Sequence, residues 1–245
     1  MKLPESFLAL HANGCFDYWG GVAYDQLANE DRQRLYAERR PRVLWLRGIE
    51  WEIAPSEVIE ATDLRPGLYR FAGDGAGGSY VFCPAWQRDA AEAPVVYVPH
   101  DEDTAQLFAP TFAQALLRLW LAHGSDWDAA TDSADRDNTL KAWAAIIAPL
   151  LDPAQRAALE ALAKDPTEKS MKAASQAFVA ALPTDTMVAQ PPPTKYNPKY
   201  VKGEQAKRLY AKSIAFYVAL VAEGHDRYAK DLAETRANRD AAIGT

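Results

Sequence analysis

Apolar residues fall at helical spacing near the start of this chain, at every second position after Pro41, and at helical spacing again from about residue 110 onward. Pro4, Glu5 and Ser6 open a short helix carrying Phe7, Leu8, Leu10 and His11, and Asn13-Gly14 ends it in residues tolerant of positive φ. The polar, charge-laced stretch from Tyr24 to Glu38 predicts a second helix, stopped by Pro41. Val43–Leu46 and Ile49–Ile53 then read as strands, and Ser56–Glu60 as a short turn of helix. Leu68–Ala72 and Ser79–Cys83 predict two strands joined by the glycine-rich turn Gly73–Gly78, and Val95–Val98 a further strand. Thr111 with Gln114 has capping-box spacing, and the helix it starts runs from Phe112 to Ala122 with Leu116, Leu119 and Trp120 on one side. The first half is therefore expected to be α+β, an antiparallel sheet with flanking helices.

The second half reads differently, with no strand expected between Asp137 and Asp240. Helices are predicted over 139–151, 153–164 and 166–182. The last two start with one device: Asp at the N-cap, Pro at N1 and Gln or Glu at N3, in Asp152-Pro153-Ala154-Gln155 and Asp165-Pro166-Thr167-Glu168. Residues 183–202, with Pro191-Pro192-Pro193 and Pro198, read as an extended connector. A long helix over about 204–240 closes the chain. Its stripe of Tyr210, Ile214, Tyr217, Val221, His225, Tyr228 and Leu232 is spaced almost like a coiled-coil seam. The stripe must pack on the preceding helices, on the first half, or on a second molecule. The reach given by Pro191–Pro193 favours packing within a monomer, and a dimer through Tyr210–Leu232 is the other outcome. The expected organisation is an α+β domain over 1–124 followed by an all-α region over 125–245.

Charge adds to this division. The chain has 245 residues and a net charge of −6, and residues 1–124 hold all of the surplus acid, with 11 basic and 17 acidic side chains. That balance argues against a general nucleic-acid binder but suits a basic protein partner. The longest apolar run, Ile214–Ala222, has nine residues, where a membrane-spanning helix needs about twenty. No export signal is read in the N-terminal residues, so a cytoplasmic protein is expected, with Cys15 and Cys83 reduced and packed.

Candidate chemistry is sparse. Gly73–Gly78 leads into a strand rather than a helix and lacks a following Lys-Ser/Thr, so it reads as a strand connection and not a phosphate loop. His100-Asp101-Glu102-Asp103 reads as a solvated acidic turn, since four consecutive residues cannot all face one ion. Arg39-Arg40-Pro41-Arg42 reads as a solvated helix end, and no ordered catalytic set emerges from the histidines, cysteines or carboxylates. The expectation is a protein that is not an enzyme and needs no metal or cofactor. Trp45, Trp51 and Trp120 fall on apolar periodic positions and are expected in the core. Trp19 and Trp86 lie in loops, where a tryptophan either covers the core or anchors a partner.

The motifs of the first half also occur in a known order. Leu3-Pro4-Glu5-Ser6-Phe7-Leu8-Ala9-Leu10 closing in Asn13-Gly14 resembles the opening of the SUKH superfamily, which includes cell-wall synthesis regulators and bacterial immunity proteins. Trp51, Pro55–Ile59, Tyr69–Gly78, Tyr80–Cys83, Pro94–Asp103 and the helix from Phe112 follow the order of that family. The resemblance covers residues 3–123 and leaves the helical half outside it. It implies a SUKH-like fold and a non-catalytic binding domain. Many bacterial members neutralise a toxin encoded beside them and delivered by secretion or contact-dependent systems, by occluding its active site. A basic toxin such as a nuclease, acting inside the cell, would suit the acidic first half. The candidate contact residues are Trp19, Trp86, Glu50, Glu52, Asp101, Glu102 and Asp103, aromatic anchors within an acidic rim. Two other classes stand beside this one: an intracellular regulatory or scaffold module, and an enzyme that reverses a toxin's modification.

Overall fold

A computed structural model of the chain describes residues 1–17, 26–44, 46, 49–52, 54–87, 91–125, 133–192 and 200–244. The chain is α+β, a seven-stranded antiparallel sheet with flanking helices and a helical C-terminal region. Helices α1 (Glu5–Ala12) and α2 (Asn29–Arg39) come first. The strands β1 (Glu50–Trp51), β2 (Ile59–Glu60), β3 (Tyr69–Gly73), β4 (Ser79–Phe82), β5 (Val95–Val98) and β6 (Thr104–Ala109) follow. Helices α3 (Phe112–Ser125), α4 (Ser133–Ile147), α5 (Pro153–Lys164) and α6 (Glu168–Ala180) precede a last strand, β7 (Thr186–Val188). The chain ends in α7 (Gly203–Ala222) and α8 (Ala229–Ile243). The strands run in the order β1-β3-β4-β5-β6-β7, and β2 pairs with β3 beside β1.

Both faces of the sheet are covered, which is why β4 and β5 read as short unbroken apolar runs. Alternation sends Tyr80, Phe82 and Val95 to one face and Val81, Val96 and Val98 to the other. On the first face an aromatic cluster of Phe7, Phe16, Trp51, Phe71, Phe82 and Phe112 packs with ring centroids 4.2–6.3 Å apart. One carboxylate, Glu92, fixes the two helices over this face. It accepts the Ser6 N–H of α1 at 3.2 Å and the Phe112 N–H of α3 at 3.3 Å. The Thr111 cap read from the sequence is present as well, accepting the Gln114 N–H at 3.2 Å. The same core runs on into α4, α5 and α6 through Leu140, Trp143, Ile147, Leu159 and Met171. Two indoles stitch this continuation: Trp120 Nε1 donates to the Leu140 carbonyl and Trp143 Nε1 to the Arg40 carbonyl, each at 3.0 Å.

Several expectations are corrected. Val43 and Leu44 are buried but form no strand, because the Leu44 N–H donates to the Cys15 carbonyl next to α1 instead of to a neighbouring strand; Trp45 and Ile53 lie outside the described residues. Ser56–Glu60 splits into a tight turn over Pro55–Glu57 and strand β2. Strands β6 and β7 are not among the expected elements, and β7 lies in a half expected to hold only helices. Helix α4 starts at Ser133 and gives way after Ile147 to a tighter turn over Ala148–Leu150, where Pro149 cannot continue the ladder. Asp152 caps α5 as expected, accepting the N–H groups of Ala154 and Gln155, but α6 is capped by Thr167 and not Asp165. The long closing helix is two helices, broken where Gly224 takes φ +90°. They pack on each other through Ala206, Tyr210 and Ala242 near one end and Phe216, Tyr217, Leu220, Tyr228 and Leu232 near the other. Much of the Tyr210–Leu232 stripe is thereby covered within the chain.

Candidate partner-binding face

In an antiparallel sheet, the β3–β4 and β5–β6 turns must lie at the same end. Register places Glu50 of β1 there too, opposite Gly73. Its carboxylate lies over the glycine turn, within 3.6 Å of where a side chain on Gly73 would begin. The turn itself is held by Asp74. One carboxylate oxygen accepts the N–H groups of Ala76 and Gly78 at 2.8 Å, and the other accepts the Tyr97 hydroxyl at 2.6 Å. Burial alone would raise the Asp74 carboxyl, but the Tyr97 hydroxyl and the backbone donors outweigh it and hold it below its ordinary value. The Tyr97 phenol is pushed up correspondingly, by burial first and then by the Asp74 carboxylate. Gly73–Gly78 is thus a strand connection, as read from the sequence, with a fixed carboxylate inside it.

The neighbouring turn carries Asp101, Glu102 and Asp103. Gly77, at φ +96°, comes so close to His100 that an added Cβ would lie 3.2 Å from the His100 Cβ, so the two turns abut. Asp101 and Glu102 are exposed. Asp103 is partly covered and pairs with Lys212 of α7 at 3.1 Å. The structure therefore brings Glu50, Asp74 and the 101–103 carboxylates to one end of the sheet.

Glu52 sits further along this edge, in a polar hollow of about 500 Å³ that it shares with Glu50, Asp63, Arg70 and Ser79. Arg70 is committed there to Asp63 at 2.7 Å and to the Ser79 hydroxyl at 2.9 Å. Burial raises the Glu52 carboxyl, the Glu57 charge raises it further, and Arg70 only partly offsets them. Trp86 does not join this end. It lies in a tight turn after β4, half-buried against the second face of the sheet, and lines a separate cleft of about 870 Å³ toward α7. It is both a cover and a cleft wall. Trp19 lies outside the described residues.

Asp74, Tyr97 and the patch beside them are not among the residues expected at a site. There Arg118 lies 4.1 Å over the Phe108 ring and donates to the Phe108 carbonyl at 2.8 Å. Tyr80 packs at 5.0 Å from Tyr97, and its phenol is pushed up to about 12, mainly by burial. A Tyr two residues after Gly78 and another facing it across β4 and β5 was the only available signal. Cys15 and Cys83 are buried free thiols, and burial pushes both up, which suppresses thiolate chemistry. Among the described residues no group of three or more His, Cys, Asp or Glu could hold a metal ion, and no helix is long and apolar enough to cross a membrane. Compared with family models, curated proteins and solved structures, the chain matches none.

Proposed function

We propose that this chain is an immunity protein that binds a cognate toxin acting in the cytoplasm and covers its active site. The observation that carries the reading is the acid gathered at one end of the sheet, Glu50 on β1 with Asp101, Glu102 and Asp103 on the β5–β6 turn, beside the glycine turn that Asp74 braces and that abuts His100 through Gly77. Such a rigid acidic rim attracts and orients a basic surface, such as that of a nuclease, and exacts little ordering cost when it binds. The resemblance of residues 3–123 to the SUKH superfamily supports the same reading and its finer fold assignment. Binding alone supplies the function, with no catalytic step and no cofactor.

The test is co-expression of the tagged full chain with each reading frame flanking its gene, followed by growth with and without the chain. The expected result is one flanking product that kills cells alone, is silenced by the chain and purifies with it in a fixed ratio. If no flanking product is toxic and the chain instead holds a housekeeping complex, the reading gives way to a regulatory module. Protection at far below equal amounts, with turnover of a modified substrate, would replace binding by catalysis.

A further inference from the structure

The far edge of the sheet carries a second feature that the acidic rim does not use. Among the described residues, β7 is the last strand, with none beyond it. Its register with β6 pairs Thr104 with Val188, Ala105 with Met187 and Gln106 with Thr186. The bonds that bracket this ladder run from the Leu107 N–H to the Asp185 carbonyl and from the Ala189 N–H to the Asp103 carbonyl. Antiparallel alternation then directs the Met187 backbone groups at β6 and those of Thr186 and Val188 away from it. Thr186 and Val188 are exposed, so two N–H and two C=O groups form an open edge. Thr-Met-Val has high strand propensity and carries none of the lysines, prolines or bulges that usually blunt such an edge.

Beside this edge runs the cleft of about 870 Å³. Trp86, Met187 and Val188 line it from the sheet side, and Ala215, Phe216 and Ala219 from α7. Two ion pairs tie α7 across it, Arg65 with Glu223 and Lys212 with Asp103. The charges lining the cleft are thereby paired. Past Lys212 and Asp103, however, the groove continues along His100, Asp101 and Glu102. Asp101 and Glu102 face no lysine or arginine within ion-pairing distance among the described residues. An unsatisfied strand edge and an apolar trough thus adjoin an unneutralised acidic end, the two hollows meeting at Asp103 and Lys212.

We propose that the free edge of β7 takes up an extended segment of a basic partner protein as an added antiparallel strand. Thr186 and Val188 supply its main-chain hydrogen bonds, and alternate side chains of the segment enter the Trp86–Phe216 cleft. A lysine or arginine of the segment meets Asp101 and Glu102. This mode of recognition rests on the partner-binding reading above and specifies where one segment of the partner docks.

The test uses the ¹⁵N-labelled full chain and a synthetic decapeptide of alternating valine and lysine. Amide exchange at Thr186 and Val188 should slow at least tenfold at saturating peptide, while Met187, already bonded to Ala105, keeps its rate. The same peptide N-methylated along one edge, and a valine–glutamate peptide, should each bind at least tenfold more weakly. Val188→Pro removes an outward N–H without removing a bond to β6 and should abolish binding at unchanged Tm. Should that variant misfold, exchange on the native chain still decides the matter. Absence of binding, binding without protection at Thr186 and Val188, or equal binding of the N-methylated or acidic peptide would overturn the proposal. So would protection that rises with the concentration of the chain alone, which would put a second copy on the edge. A toxin complex that forms with these two amides unprotected removes strand addition and leaves the immunity reading standing. Peptide addition with no toxic flanking product does the reverse.

Discussion

Asp74 and Glu52 show two opposite fates for a carboxylate in one small region. Asp74 is held ionised by a hydroxyl and two N–H donors, so its folded-state pKa lies below the unfolded value. The stability it contributes is present above the unfolded value of about 3.9 and is lost as pH falls through the folded one. Tyr97→Phe removes the charge-assisted hydroxyl bond and should cost about 1–2 kcal/mol at neutral pH, a penalty that shrinks as acid protonates Asp74. Urea titrations of the two proteins between pH 2 and 7 would check this, and a penalty independent of pH would show that the bond is not to an ionised group. Glu52 has the opposite sign. Its pKa is raised by burial and by Glu57, so its ionisation opposes folding as pH rises through the folded value. Glu52→Gln should therefore stabilise the chain at pH 7 by about 0.5 kcal/mol, modest because the group is partly in water, and the gain should vanish below the unfolded value near 4. Equal Tm for the two proteins at pH 7 would contradict this. If Glu52 also faces the partner, the same substitution weakens capture, which explains a carboxylate kept where it costs stability.

At the level of elements, Glu92 ties together the two helices it serves. Its two oxygens satisfy backbone donors at the starts of α1 and α3, which together close the first face of the sheet. Glu92→Ala should cost about 2 kcal/mol, close to two ordinary caps, whereas Glu92→Asp, too short to span both, should keep only part of that. Thermal denaturation of the three proteins would decide it. Glu92 had no helical neighbour in the sequence to mark it, and a cap shared between elements 86 and 20 residues away is invisible to local pattern. Elements whose own residues carry the pattern are legible, and those made by a distant partner are not. β4 and β5 are legible because burial on both faces fills strands with apolar residues, all but Ser79 here. β7 has three residues, too few to show a period of two, and lies between Pro183 and Pro191–Pro193, so its sequence reads as part of a linker despite its strand-forming Thr and Val. The break at Gly224 was masked by its surroundings. Tyr217, Val221, Tyr228 and Leu232 keep helical spacing across it, and Tyr217 and Tyr228 meet at 6.0 Å by folding back, not by lying along one helix.

Across the molecule, the charges of the candidate site were readable one by one, but their convergence was not. Glu50 and Asp101 are fifty-one positions apart in the chain. Only the strand order, with the abutment of Gly77 and His100, brings them to one end of the sheet. Trp86, an aromatic anchor by its chemistry, lies apart from them in the cleft beside α7. The acid at that end should act chiefly on the rate of encounter, because exposed charges steer a partner before they touch it and are screened beyond about 8 Å at physiological salt. Reversing Asp101 and Glu102 together to lysine should slow association with a basic partner about tenfold at low ionic strength and change dissociation little. Raising the salt should bring the two proteins' rates together, since screening removes what the substitution removes. Both residues are exposed and outside the core, so the melting temperature should be almost unchanged. Stopped-flow association across a salt series is the measurement. A slope against ionic strength identical for the two proteins would mean that the partner approaches another face. A loss confined to dissociation would mean that these carboxylates are buried in the complex as contacts and do not guide it from a distance.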